Sequence, residues 1–240
     1  MMKMQPIYKR VLLKLSGEGL GSSKGALDCE IMSNLAKEIK TIHDMGVQVC
    51  LVVGGGNFWR GAKGVSKGVE RVTGDYIGML ATVMNALAFA DILEENGMPA
   101  RIMTALSVEG IGEVFNQKNA LNHLQKGRVV IFAAGTGSPF FTTDTCAVLR
   151  ATEMACDACL KSTQVDGIYD SDPKTNPKAK RYDVIDYETA LEKKLGVLDL
   201  TAMAMAQDAL LPIVVFNQKS KGALANVVCG KGTYSILKKK

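Results

Sequence analysis

Three apolar runs in this chain each end in glycine: VLLKLSGEG from Val11, VVGGGN from Val52 and VVIFAAGTGSP from Val129. A short apolar run without alternation suits a strand buried on both faces. Glycine directly after it lets the backbone turn and approach a ligand with no Cβ in the way. In an open α/β sheet, ligands gather beyond the carboxyl ends of the strands. The three exits are therefore expected to share one rim.

The rest of the chain supports that architecture. Strands are expected at Val11–Leu15, Val47–Val53, Arg101–Ala105, Arg128–Ala134, Ala158–Ser162 and Ile213–Phe216, with an edge strand at Thr233–Leu237. Helical patterns occupy Ile31–Met45, Asp75–Asn96, Asn119–Gln125, Thr142–Met154, Glu188–Leu195 and Thr201–Leu210, and Thr142 or Thr143 suits an N-cap. Val165–Asp186 is richer in Asp, Lys and Pro and reads as a long loop or small hairpin. This alternation predicts an α/β fold, a three-layer αβα sandwich with a mainly parallel central sheet. No repeat, linker or low-complexity segment interrupts the 240 residues, so a single domain, 1–240, is expected.

The net charge of +5 is mild; it favours anionic small molecules and does not demand nucleic acid. The opening MMKMQPIYKR lacks an export signal's apolar core, and no apolar run approaches membrane-spanning length. A cytoplasmic protein with six reduced cysteines is expected. Cys156 and Cys159 form a lone C-x-x-C, which without a second pair reads as structural thiols.

Lys14 interrupts an apolar strand one residue before its end. It either blunts a sheet edge or aims a charge into the rim. Ser16 and Gly17 then offer backbone N–H groups, which bind phosphate when arrayed. Gly54, Gly55 and Gly56 are more glycine than a tight turn needs, and suggest close approach of a bulky anion. Arg60 lies just beyond and suits phosphate oxygens. The lone tryptophan, Trp59, suits packing better than base stacking.

Asp75 is read as opening a helix, where it serves either the helix dipole or a sugar hydroxyl. In GTGSPFFTTDT, Gly135 and Gly137 free the backbone, and Thr136, Ser138, Thr142 and Thr143 supply hydroxyls. The amides of Thr142–Asp144 at a helix start suit an anion. Phe140 and Phe141 either wall a base or pack, and Asp144 either orients a lysine or favours the helix start. Asp166, Asp170 and Asp172 lack the spacing and closing glutamate of a calcium loop and read as turn residues, with Tyr169 a candidate adenine wall.

Several chemistries are excluded. No G-x-x-x-x-G-K-[ST] and no G-x-G-x-x-G occurs. The two histidines, His43 and His123, are remote from the glycine exits, which argues against a histidine base or zinc site. What remains is an inventory of amides, cations and carboxylates without a covalent nucleophile. Phosphoryl transfer fits it, because that reaction needs alignment and charge neutralisation more than acid–base groups.

These residues, taken in order, resemble the bacterial UMP kinases of the amino-acid-kinase fold. The resemblance rests on Lys14-Leu15-Ser16-Gly17-Glu18, Gly54-Gly55-Gly56-Asn57 with Arg60-Gly61, Gly74-Asp75 leading into Met79-Leu80-Ala81-Thr82, Gly135-Thr136-Gly137 with Pro139 to Asp144, and Val165-Asp166-Gly167 with Asp172-Pro173. It runs from about Tyr8 to Ile236. It implies transfer of the ATP γ-phosphoryl group to UMP, with Mg²⁺ carried by ATP and no metal ligands of the protein's own. Lys14 would touch the transferring phosphates, and Leu15, Ser16, Gly17, Gly56 and Arg60 would line ATP. Thr163, Tyr169 and Asp172 would take its adenosine part. Gly55 would face the UMP phosphate and Asp75 the ribose. Thr136, Gly137, Ser138, Pro139, Phe140, Phe141, Thr142 and Thr143 would enclose UMP. Asp144 and Asp199 would orient lysine and metal-bound phosphate.

The resemblance also implies a homohexamer that uses the Asp75–Asn96 helix in a dimer contact, and no nucleic-acid or membrane partner. The loop Gly21–Ala26 is shorter than in GTP-activated members, so feedback by UTP at the UMP site is expected rather than GTP activation. Two rivals stand beside this reading. One is a kinase of the same fold acting on a carboxylate or carbamate. The other is a nucleotide-binding or storage protein without catalysis.

Overall fold

The computed structural model describes residues 5–59, 68–218 and 220–239. Its strands are β1 (Arg10–Leu15), β2 (Gln48–Val53), β3 (Ala100–Thr104), β4 (Glu113–Val114), β5 (Val129–Ala133), β6 (Ala158–Thr163), β7 (Ile168–Tyr169), β8 (Arg181–Tyr182), β9 (Val184–Asp186), β10 (Ile213–Asn217) and β11 (Tyr234–Lys238). Its α-helices are α1 (Cys29–Asp44), α2 (Arg71–Glu95), α3 (Gln117–Gln125), α4 (Thr143–Glu153), α5 (Tyr187–Glu192), α6 (Leu200–Asp208) and α7 (Ala223–Val228). A 3-10 turn, Gly17–Leu20, follows β1.

The main sheet has nine strands in the order β4-β3-β5-β2-β1-β6-β10-β11-β9. The seven strands from β4 to β10 pair in parallel, and β11 joins β10 antiparallel. Helices cover both faces, giving the αβα sandwich. Side-chain alternation splits the core accordingly. Val11, Leu13 and Leu15 of β1 pack with α1, α2 and α7 on one face, while Leu12 points to the face covered by α3, α4, α5 and α6. Lys14, two residues after Leu12, takes that second face. In β6, Leu160 belongs to the first face, so Lys161 shares the second with Lys14.

Several expectations change. β1 lies between β2 and β6, so Lys14 cannot be blunting a sheet edge. Thr233–Leu237 is not an edge strand either: β9 pairs outside β11, from Ile236↔Val184 to Lys238↔Asp186. Val165–Asp186 does contain a small hairpin, β7–β8, and also supplies β9. The helix α2 starts at Arg71, so Asp75 lies a full turn inside it and is not a first-turn acid. Helix α7 and the short β4 carry too few residues for a periodic pattern to reveal them.

Apolar length also needs amending. An 18-residue window of α2 has mean hydropathy 1.6, enough by length and composition to cross a membrane. Half of that window is buried in the fold, with Phe89 and Leu93 fully enclosed against the sheet. On its other side Val72, Tyr76, Leu80, Met84 and Leu87 are exposed. Their spacing of three or four residues makes one apolar stripe.

The described cysteines are all free; Cys50, Cys146, Cys156, Cys159 and Cys229 are buried and Cys29 is exposed. Burial pushes the Cys146 thiol up to about 12, so it stays protonated and behaves as a small apolar side chain.

Candidate active site

Parallel strands carry their carboxyl ends to one rim, and the glycines let the rim close. The 3-10 turn after β1 sits directly on the turn after β2. A Cβ on Gly17 would stand 2.4 Å from the Gly54 carbonyl oxygen and 2.7 Å from the Gly56 nitrogen. The same turn meets the start of α4, since a Cβ on Gly54 would lie 3.3 Å from Thr143 Oγ1. Gly55 is pressed on α2, where a Cβ would meet the Gly78 carbonyl oxygen at 2.5 Å. These contacts exclude every other residue type at Gly17 and Gly55 unless the backbone moves.

At the centre stands Asp144, in the first turn of α4. Lys14 Nζ approaches its Oδ1 at 3.1 Å, and Lys161 Nζ donates to its Oδ2 at 2.7 Å. The two lysines are direct partners in the β1–β6 register. One carboxylate thus bridges two ammonium groups on adjacent strands. Burial pushes the Asp144 carboxyl up, but the two ammonium groups outweigh it and hold it below its usual range. Burial also lowers Lys161, and Asp144 offsets only part of that.

Sequence reasoning missed Lys161. The signal was present: ACLKST places a lysine in an apolar strand just as VLLKLS does. Only the register shows that the two belong together.

Asp199 is placed differently from the phosphate-orienting role that the resemblance implies. It caps α6 by accepting from Ala202 N at 2.9 Å, and it accepts from the hydroxyls of Thr142 and Thr145. It ties two helix starts together. Thr142 caps α4, accepting from Asp144 N at 3.0 Å and Thr145 N at 3.4 Å, so those amides are used within the cap.

Two clefts open at the rim. The first, about 290 Å³, is lined by Gly55, Gly56, Trp59, Arg71, Asp75, Thr136, Ser138, Phe141, Thr142 and Thr143, among others. Asp75 organises its outer wall. It accepts from Arg71 Nε at 2.8 and 3.0 Å and from Phe140 N at 2.8 Å. Phe140 has φ +71°, a left-handed conformation that an aromatic residue rarely adopts, and the Asp75 bond pins it there. Phe140 and Phe141 are exposed, not packed. Gly137, Pro139 and Phe140 are not among the lining residues. Arg71, which the sequence reading passed over, is; its i,i+4 spacing to Asp75 was the available clue.

The second cleft encloses about 600 Å³. Lys161, Thr163, Tyr169, Asp172, Pro173 and Val197 help to line it. Tyr169 donates its hydroxyl to Asp166 at 2.6 Å. The Leu15 side chain is buried in the core and reaches neither cleft, while its carbonyl accepts from Gly54 N. The Ser16 hydroxyl caps the 3-10 turn through Gly19 N. Arg60 lies outside the described residues.

The rim thus carries two clefts, one reached by Lys161 and the other by Thr143, the residue before Asp144. Comparison with known proteins identifies the family. The profile of the amino acid kinase family matches residues 9–217. The chain belongs to the amino acid kinase family. Within it, the chain is 51% identical over 233 residues to the uridylate kinase of Erythrobacter litoralis, covering 97% of this chain and 98% of that protein. It is 50% identical over 231 residues to the uridylate kinase of Paramagnetospirillum magneticum, covering 96% of each. Among solved structures, UMP kinase from Bacillus anthracis superposes with a TM-score of 0.94 at 36% identity, covering 97% of each chain. UMP kinase from Ureaplasma parvum gives 0.92 at 35%, covering 99% of this chain and 100% of that one.

Proposed function

We propose that this chain transfers the γ-phosphoryl group of ATP to UMP, giving ADP and UDP. The observation that carries this reading is Asp144 holding Lys14 and Lys161 at the rim, with Lys161 lining the second cleft and Thr143, the residue before Asp144, lining the first. UMP occupies the first cleft and ATP the second, with their phosphates meeting at the lysines. A UMP phosphate oxygen forms the new bond to the γ-phosphorus as the bond from that phosphorus to the ADP oxygen breaks. The attacking oxygen is already ionised, so no general base is required. The lysines spread positive charge over the transferring group, and Asp144 keeps both in position.

The roles divide along the clefts. Gly55 faces the UMP phosphate, and Asp75 takes the ribose. Thr136, Ser138 and Phe141 border the base. Thr163, Tyr169 and Asp172 take the adenosine of ATP. Arg60 serves the phosphates. Asp199 acts as a positioning residue through Thr142 and Thr145. Asp144 is committed to two lysines, so Mg²⁺ would arrive with ATP and would supply neutralisation of phosphate charge. We further propose a cytoplasmic protein working as a single domain, 1–240, that assembles into a hexamer. The exposed stripe of α2 from Val72 to Leu87 suits pairing with a second copy.

The test is ADP formation with UMP, CMP, glutamate and carbamate as acceptors. Turnover with UMP is expected. Turnover with carbamate or glutamate in its place would favour another kinase of this fold, and ATP binding without turnover would favour storage.

A further inference from the structure

Arg71 lines the first cleft one helical turn before Asp75. Its Nε–H is shared between the two Asp75 oxygens, at 3.0 Å from Oδ1 and 2.8 Å from Oδ2. Its guanidinium also lies over the Phe140 ring, 5.4 Å from the centroid. Phe140 closes the triangle by donating its N–H to Asp75 Oδ2 at 2.8 Å. Helix α2 and the rim segment after β5 thus meet at one carboxylate.

Helix stability does not account for this pair. Arg before Asp is the less favourable order at i,i+4 spacing, and such pairs add little to stability. What the contacts do is orient. The Asp75 side chain is only 13% exposed and lines the cleft. Oδ2 takes both Arg71 and Phe140, whereas Oδ1 takes only a share of the arginine. An ionised carboxylate accepts at both oxygens and donates at neither. Oδ1 is therefore the oxygen with capacity left for a hydroxyl in the cleft. A carboxylate already held in one plane receives that hydroxyl without first losing rotamer freedom.

We propose that Arg71 is a positioning residue: it holds the Asp75 carboxylate with Oδ1 open to a ribose hydroxyl, and so sets the preference for a ribonucleotide acceptor over its deoxy analogue. This rests on the reading of the first cleft as the UMP site with Asp75 at the ribose. Arg71 acts through Asp75 and needs no contact of its own with the nucleotide.

Initial rates with UMP, 2′-deoxy-UMP and 3′-deoxy-UMP test it. The unsubstituted protein should favour UMP over at least one deoxy analogue by about tenfold in kcat/KM. Arg71→Leu should raise the KM for UMP about fivefold, hold kcat within about twofold, leave the KM for ATP in place and shrink the sugar preference to about twofold. A merely structural role would weaken UMP and its deoxy analogues alike. In the Asp75→Asn background, Arg71→Leu should cost less than about twofold more, because the carboxylate it serves is already gone. Effects that multiply would mean that Arg71 binds the nucleotide by itself, and would overturn the proposal. So would an Arg71→Leu enzyme with unchanged sugar preference, or an unsubstituted protein with none. Should Arg71→Leu fold poorly, Arg71→Lys keeps the cation and loses the planar fork, and should raise the KM for UMP about threefold with the same narrowing of sugar preference. No change in that variant would overturn the proposal too. An unchanged KM for UMP in Asp75→Asn would instead sink the ribose assignment, and absence of UMP-dependent ADP formation would sink the assignment of the cleft, each taking this proposal with it.

Discussion

The two clefts are built by different means. The first is walled by regular structure: the flank of α2, the capped start of α4, and glycine turns in van der Waals contact. The second is walled largely by the two-residue strand β7, the residues 170–173 that follow it and the segment 193–197. Gly17 and Gly196 show the contrast. A Cβ on Gly17 would collide with backbone at 2.4 Å, whereas a Cβ on Gly196, in the wall of the second cleft, would meet nothing within 4 Å. The lesson is that one binding surface is preorganised and the other has room to adapt. Short strands and open loops are also the parts of a fold that open at the lowest free energy.

The largest expected effect belongs to the lysine pair at the rim. Lys14→Ala should lower kcat by about 100- to 1000-fold, as loss of one charge donor in a dry site does, with little change in the KM for UMP. Steady-state kinetics check this, and an unchanged kcat would remove Lys14 from the chemistry. Next is the rigidity of the first rim. Gly17→Ala should destabilise the fold by about 1–3 kcal/mol, because the new methyl meets backbone that cannot yield cheaply. Denaturant midpoints would measure it.

Asp75→Asn should come third, raising the KM for UMP about tenfold while leaving the KM for ATP in place. A change confined to ATP would move Asp75 out of the acceptor cleft. The lysine bridge also has a pH signature. The Asp144 carboxyl is depressed in the fold, so its contribution to stability is complete above the ordinary value of 3.8 and is lost as pH falls through the folded value. The Tm difference between the unsubstituted protein and Asp144→Asn should therefore narrow below pH 3.8. A difference that stays constant with pH would show that the ionised bridge contributes nothing. The smallest effect is expected at the adaptable cleft: Gly196→Ala should change stability by less than about 0.5 kcal/mol. A loss as large as that of Gly17→Ala would erase the contrast between the two surfaces.

The same contrast explains what could be read early. The first cleft was largely legible because its parts are consecutive in sequence: a buried run, then glycines, then hydroxyls at a helix start. Gly55, Asp75, Thr136, Ser138, Phe141, Thr142 and Thr143 all came from such motifs, and all line it. Phe140 was read as a candidate wall, yet its left-handed backbone hands its N–H to Asp75. No local pattern announces that bond, since the two residues are 65 apart.

Sequence alone determined the layered α/β architecture and the rim that the glycine-tipped strands share. Apolar periodicity and turn chemistry are local properties, and they survive without coordinates. Tertiary structure decided the rest. It set Lys161 beside Lys14 through the β1–β6 register, and it gave Asp144 to both. It spent Asp199 on two helix starts, and it left the Trp59 donor without a described acceptor. Each of these is a pairing across long stretches of chain, and strand order and register, not neighbouring residues, determine which charges and donors finally meet.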